Sequence, residues 1–154
     1  TLDVNTFVID TIVPTVSSIS PTDNQTMVSI SDNISITFSE SIDNTSFTIR
    51  NDNTPCYEEI MLSSTGFGSC IQMSSSPSSS NSEKTFTVDP SDNLSYSTNY
   101  KIRVTTGVKD TSGISLASAY TTSNGFTTAA LTVVISRTGT DSNGNTHTSS
   151  NLEW

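Results

Sequence analysis

Positive charge is the scarcest property of this chain. Its 154 residues include six Lys and Arg against fifteen Asp and Glu, a formal net charge of −9. Nucleic acids and anionic membrane surfaces are both recognised through clustered cations, so the composition excludes both as partners. No run approaches the roughly 18 apolar residues of a membrane span, so we expect no membrane insertion.

Reactive constellations are also lacking. The sole histidine, His147, stands in a polar segment, and a catalytic base needs an orienting carboxylate and a nearby nucleophile. The adjacent acids Glu58 and Glu59 point to opposite faces of a strand, so they cannot act as a glycosidase pair across a cleft. The sequence therefore predicts a protein that is not an enzyme.

Serine and threonine are abundant instead, at 56 of the 154 residues, whereas only 32% are hydrophobic and 14% charged. The apolar residues alternate with polar ones in short runs, which is the period-2 pattern of strands with one buried face. Turn signals separate these runs, and no segment has a helical period. The pattern predicts strands at 15–20, 34–38, 47–49, 86–88 and 100–104, with shorter apolar runs that indicate two more at 60–62 and 70–73. The run 74–82, SSSPSSSNS, predicts a flexible loop.

Seven or so short strands with regular turns favour an all-β sandwich. The stretches DTIVPTVSSISPTDNQ, ITFSE, VKDTSG and the final FTT resemble bacterial immunoglobulin-like domains over roughly residues 10–128. The resemblance implies an immunoglobulin-like Greek-key β-sandwich over 13–129, with an N-terminal arm (1–12) and a C-terminal extension (130–154). Tyr100 is expected to form a tyrosine-corner contact, its hydroxyl bonded to upstream backbone.

Cys56 and Cys70 are the only two cysteines. An even pair this close in an exported chain predicts a disulfide that clamps a loop. The chain begins at Thr1 with no signal-like segment, so we expect a mature, extracellular or cell-surface protein from which a signal has been removed.

A calcium site is a further expectation. The resemblance implies tandem modules, which sometimes hold calcium at their junctions, and Asp10 and Asp110 are placed to face one pole of the domain. The alternative is that these aspartates serve turns through their own side-chain hydrogen bonds, because calcium requires six or more oxygens.

Two β-prone apolar segments flank the sandwich and need partners. Their apolar residues are Val4, Phe7 and Ile9 at the N-terminus and Leu131, Val133 and Ile135 at the C-terminus. We expect self-association with copies of the chain or with neighbouring domains, through donated strands that build a fibre or stalk. Two alternatives remain open: an adhesin module that binds glycan or protein, and an accessory domain of a larger secreted enzyme.

Overall fold

The computed structural model describes residues 9–47, 56, 58–133 and 137–149. Within those residues the chain forms ten strands and one short 3-10 helix at Asn44–Ser46. The strands are β1 (Val16–Ser20), β2 (Ile34–Phe38), β3 (Ile60–Ser63), β4 (Ser78–Ser80), β5 (Thr85–Val88), β6 (Asn99–Val104), β7 (Tyr120–Thr121), β8 (Phe126–Thr127), β9 (Arg137–Thr140) and β10 (Thr146–Ser149). No helix in this described part of the chain is long and apolar enough to span a membrane.

Two antiparallel sheets make the sandwich. The first has the strand order β1-β2-β5-β4, and the second has β3-β6-β7 with β8 also paired to β6. If β7 and β8 are counted as one interrupted last strand, the two sheets have the ABED and CFG arrangement of a constant-type immunoglobulin domain. The predicted all-β, immunoglobulin-like fold is therefore confirmed. Strands β9 and β10 form a separate hairpin with each other.

The core is formed by the alternating inward side chains of both sheets. Strand β2 buries its first, third and fifth residues, and β6 buries its second, fourth and sixth. The largest aromatic contributors are Phe38, Phe86 and Phe126. Phe38 and Phe86 meet edge to face with ring centroids 6.0 Å apart, a favourable aromatic geometry.

The outward face of the first sheet consists of hydroxyl side chains. The strand registers align them in two rows of four, Ser20-Ser35-Thr87-Ser78 and Ser18-Thr37-Thr85-Ser80. Within the rows, Ser35 and Thr87 are hydrogen-bonded at 2.8 Å, and Thr37 and Thr85 at 3.0 Å. Threonine suits such positions because its branched Cβ favours extended backbone.

The tyrosine corner expected at Tyr100 is present. The backbone N–H of Ser95 donates to the Tyr100 hydroxyl at 3.0 Å, while the ring is buried and lies 5.8 Å from that of Phe126. Gly125 supports this contact, because its φ of +79° suits glycine and a Cβ there would clash with the Tyr100 carbonyl. The start of β6 is thereby fixed against β8.

Two sequence expectations, at 74–82 and 70–73, differ from the structure, and a third, at 47–49, lies largely outside the described residues. The run predicted as a flexible loop contains β4, which pairs with β5 through main-chain hydrogen bonds that require no apolar side chain. The strand predicted at 47–49 is preceded by the 3-10 helix, which Asp43 caps through Thr45 N. Phe47 itself packs on Phe86, with centroids 4.6 Å apart, and residues 48–49 lie outside the described part. Where a strand was predicted at 70–73, the structure has an isolated antiparallel bridge between Met73 and Pro90.

The substitution Tyr100→Phe removes the hydrogen bond from Ser95 N. It should lower the free energy of unfolding by about 1 kcal/mol, the usual net value of one hydrogen bond. Urea denaturation measures this. Tyr96→Phe is the matched control, because Tyr96 is 44% exposed and should not change stability. Equal losses in the two variants would contradict a structural role for the Tyr100 hydroxyl.

Candidate functional site

Three carboxylates from distant parts of the chain converge at one end of the sandwich. Asp10 lies in the segment that leads into β1, Glu40 lies two residues after β2, and Asp110 lies in the turn between β6 and β7. One carboxylate oxygen from each lies within 4.8 Å of the others. We call these residues the carboxylate cluster.

The topology explains why they meet. Strands β1 and β2 are antiparallel, so the start of β1 adjoins the end of β2, where Ser39 N donates to Thr15 O at 2.9 Å. An antiparallel bridge between Ile42 and Asp110 then brings the β6–β7 turn to the same end. This end, with residues 9–13, Glu40 and 110–114, is called the entry pole below.

Asp110 holds its own turn together with one of its two oxygens. Its Oδ1 accepts hydrogen bonds from Ser112 N at 2.8 Å and Ile114 N at 2.7 Å, and its backbone N–H donates to Ile114 O. The side chain is only 1% exposed, and Oδ2 is buried without a hydrogen-bond donor among the described residues. An unpaired buried acceptor is uncommon and costs about 1–3 kcal/mol.

Asp10 is tied to that turn. Its Oδ1 accepts Ile12 N at 3.0 Å, and its Oδ2 accepts the Ser112 hydroxyl at 3.1 Å. The Ile12 N–H, followed by the Ser112 hydroxyl, lowers the pKa of Asp10. Asp10 is therefore held ionised, and the Ser112 contact links the entering segment to the sandwich.

Glu40 has the opposite environment. Its Oε1 is buried, and no donor from the described part of the chain reaches it. Burial raises the pKa of Glu40, and the carboxylates of Asp110 and Asp10 raise it further, whereas Lys84 has a smaller lowering effect. The cluster thus concentrates negative charge that Lys84 offsets only in part.

The structure brings together Asp10 and Asp110, the pair named from the sequence, and adds Glu40, which sequence reasoning missed. A signal for Glu40 was available, because an acid two residues beyond a buried strand must lie near the end where the preceding antiparallel strand begins. Carboxylate oxygens are the donors that hard cations such as Ca²⁺ and Mg²⁺ take. The cluster is therefore the candidate metal centre of the described chain.

The other predicted site residues lie elsewhere. Cys56 and Cys70 form the expected disulfide, with their Cα atoms 5.3 Å apart. His147 is in β10, opposite Gly139. Glu58 is buried beside β3, and the backbone of Glu59 accepts Thr105 N at 2.8 Å.

The chain leaves the sandwich at the end opposite the carboxylate cluster. Strand β8 pairs with the beginning of β6, and Ala129 bonds in turn to Val28 and Ser97. This end, with residues 24–28, 95–98 and 125–133, is called the exit pole. An immunoglobulin-type sandwich whose chain enters at one pole and leaves at the other can be joined end to end with further modules.

The exposed large apolar side chains of the described residues all lie at these poles. They are 41% to 83% exposed. Three are at the entry pole (Ile9, Ile12 and Val13) and four at the exit pole (Met27, Tyr96, Leu131 and Val133). Ile9, Leu131 and Val133 were predicted as parts of assembly arms, whereas Val4, Phe7 and Ile135 lie outside the described residues.

The two sheets, the tyrosine corner and the end-to-end course of the chain define a β-sandwich of the immunoglobulin type. The model of the family described as the bacterial Ig-like domain matches residues 10–128, and this chain belongs to that family. Among curated proteins, none matches the sequence.

Solved structures of a surface-layer protein share the fold. The N-terminal part of the bacterial S-layer protein SbsC aligns with a TM-score of 0.53 and 22% identity, over 90% of this chain and 33% of that one. A structure of SbsC domains 1–6 gives a TM-score of 0.52 and 21% identity, over 89% of this chain and 19% of that one. The chain therefore spans a third or less of these structures, and the similarity concerns the fold alone.

Removing the disulfide should destabilise the domain. With a sequence separation of 14, the bridge should contribute about 3 kcal/mol by restricting the unfolded chain. The double variant Cys56→Ser, Cys70→Ser should therefore unfold at lower urea concentration than the native chain. A reductant should lower the urea concentration at which the native chain unfolds to the value of the variant. It should leave the unfolding of the variant unchanged. Equal stability of the oxidised and reduced native chain would contradict this.

Proposed function

We propose that this chain is a non-enzymatic structural module of a bacterial cell-surface or extracellular assembly, associating through its two ends into a fibre or stalk. The observation that carries the proposal is the distribution of exposed apolar side chains. They lie at the poles where the chain enters and leaves, and large apolar side chains that gather in exposed positions mark interaction sites.

The sheet faces are unlike the poles. The first sheet presents two rows of Ser and Thr outward. The second presents Lys101 and Arg103, whose polar groups are engaged locally: Lys101 Nζ donates to Ser123 O at 2.8 Å, and Arg103 Nε to Thr121 Oγ1 at 3.1 Å. Lateral association through these faces would bury polar side chains, whereas association through the poles buries apolar ones. The energetics therefore favour a linear arrangement.

Strand donation is the specific mode that we propose for the contact. Residues 1–9 and 131–135 are β-prone, and strands β1 and β7 each pair on one side only within the sandwich. A segment from a neighbouring copy can add to such an edge by main-chain hydrogen bonds, while its alternate side chains supply specificity.

Similarity in fold to the surface-layer protein SbsC supports a cell-surface location. The disulfide supports an oxidising, extracellular compartment, because such bonds are rare in the cytosol. The excess of acidic residues supports a partner that is not nucleic acid.

The pole contact can be tested with single added charges. Ile12→Asp at the entry pole and Leu131→Asp at the exit pole should each abolish concentration-dependent association in analytical ultracentrifugation, because each places a charge in an apolar contact. Ser76→Asp is the control, since it adds the same charge to an exposed loop outside both poles and outside the edge strands β1 and β7. Association that survives both pole variants, or a native chain that is monomeric at all concentrations, would overturn the proposal.

Strand donation is tested separately by trimming residues 1–9. The trimmed chain retains the whole family match, so we expect it to keep the far-ultraviolet circular dichroism of the native sandwich but to lose the fibres visible by electron microscopy. Unchanged fibres would rule out the N-terminal segment as the donor. Glycan binding that depends on loop residues, with no self-association, would favour an adhesin instead.

A further inference from the structure

The carboxylate cluster holds more negative charge than the fold requires. Asp110 Oδ1 alone accepts both hydrogen bonds that close the 110–114 turn. Asp110 Oδ2 contributes nothing to that turn, and Glu40 Oε1 is likewise buried without a donor. Two buried anionic oxygens beside a third carboxylate repel one another unless a cation lies among them.

Hydrogen bonds already orient two of the three carboxylates. Asp10 is fixed by Ile12 N and the Ser112 hydroxyl, and Asp110 by Ser112 N and Ile114 N. Hydrogen bonds to ligating carboxylates fix their orientation for a metal ion. In Asp110 both bonds go to Oδ1 and leave Oδ2 free of donors among the described residues. Oxygens of Asp10, Glu40 and Asp110 lie within 4.8 Å of one another, which matches the space around one ion.

The ligand chemistry selects among cations. All three groups offer oxygen, and the described residues add no nitrogen or sulfur ligand to the cluster, so the site suits a hard ion rather than zinc or copper. Mg²⁺ demands a nearly regular octahedron, whereas Ca²⁺ accepts irregular sets of six to eight oxygens, including bidentate carboxylates and water. Ligands from three separate segments favour Ca²⁺.

We propose that Asp10, Glu40 and Asp110 form a calcium site, in which Glu40 supplies the ligand that joins the end of β2 to the entering segment and the 110–114 turn. The ion would neutralise the buried oxygens and attach residues 9–12 to the sandwich. In the described part of the chain, the Ser112 hydroxyl already joins Asp10 of this segment to the sandwich by a hydrogen bond, and the ion would add a second link. Calcium would therefore set the direction in which the chain enters the module; this consequence for assembly, unlike the binding itself, rests on the proposed function.

Calorimetric titration of the full chain with CaCl₂, at a protein concentration where it is monomeric, tests the site. We expect one ion per chain, with a dissociation constant on the order of 10⁻⁴ to 10⁻³ M, as in other extracellular modules. Glu40→Gln and Asp110→Asn should each weaken binding at least about tenfold, because each removes one ligand charge. Asn can retain the Oδ1 acceptor that closes the turn. Asp92→Asn, which changes an exposed acid outside the cluster, is the control and should bind normally.

Thermal unfolding gives a second signature. In a chelating buffer, Glu40→Gln should melt at a higher temperature than the native chain, because it removes a repelled charge. With saturating calcium the order should reverse, since only the native chain gains the binding free energy. Calcium should also slow amide hydrogen exchange at Ile12, whose N–H is bonded to Asp10.

Four results would overturn the calcium site. They are no binding, binding that both cluster variants retain, Mg²⁺ binding of equal strength, and native and Glu40→Gln chains that keep the same order of melting with and without calcium. A chain that binds calcium at the cluster but never associates would contradict the proposed function and leave the site standing. A chain that associates but does not bind calcium would contradict the calcium site and leave the proposed function standing.

Discussion

Burial of one alternating row of apolar side chains from each sheet is the interaction on which the rest of this structure depends. Only 32% of the residues are hydrophobic, so nearly every inward position must be apolar for the two sheets to pack. Strands β2, β5 and β6 meet that condition, with Ile36, Phe86 and Ile102 fully buried. The disulfide, the tyrosine corner and the capped turns supplement this core by restraining loops that contribute little apolar surface.

The period-2 pattern predicted the sandwich because burial of one face fixes the side-chain alternation of each strand. It therefore located β2 at 34–38 and the Tyr100 strand closely. The same argument failed at Ser78–Ser80, where a polar strand is held at the sheet edge by its partner β5 and leaves no hydrophobic signature. The pattern also could not reveal the 3-10 helix after Asp43, which depends on a local cap.

Sequence reasoning predicted part of the candidate site. Asp10 and Asp110 could be paired because family resemblance placed them at the beginning and near the end of one sandwich. The place of Glu40 just after β2 indicates that it lies near the start of β1, but its meeting with Asp110 depends on a contact between Ile42 and Asp110, 68 residues apart in the numbering. Nor could composition predict that Asp110 Oδ2 and Glu40 Oε1 would be buried without donors, since that depends on how three loops pack at the entry pole.

The hydroxyl rows make the outward face of the first sheet respond differently to salt and pH from the charged parts of the surface. Salt screening and proton uptake act on charges, and the eight side chains of these rows carry none. Ser35 and Thr87, like Thr37 and Thr85, also hydrogen-bond to each other. Changes in salinity or acidity will therefore act on the poles, the loops and the charged side chains of the second sheet, while this face keeps the same hydration and the same weak attraction for its neighbours.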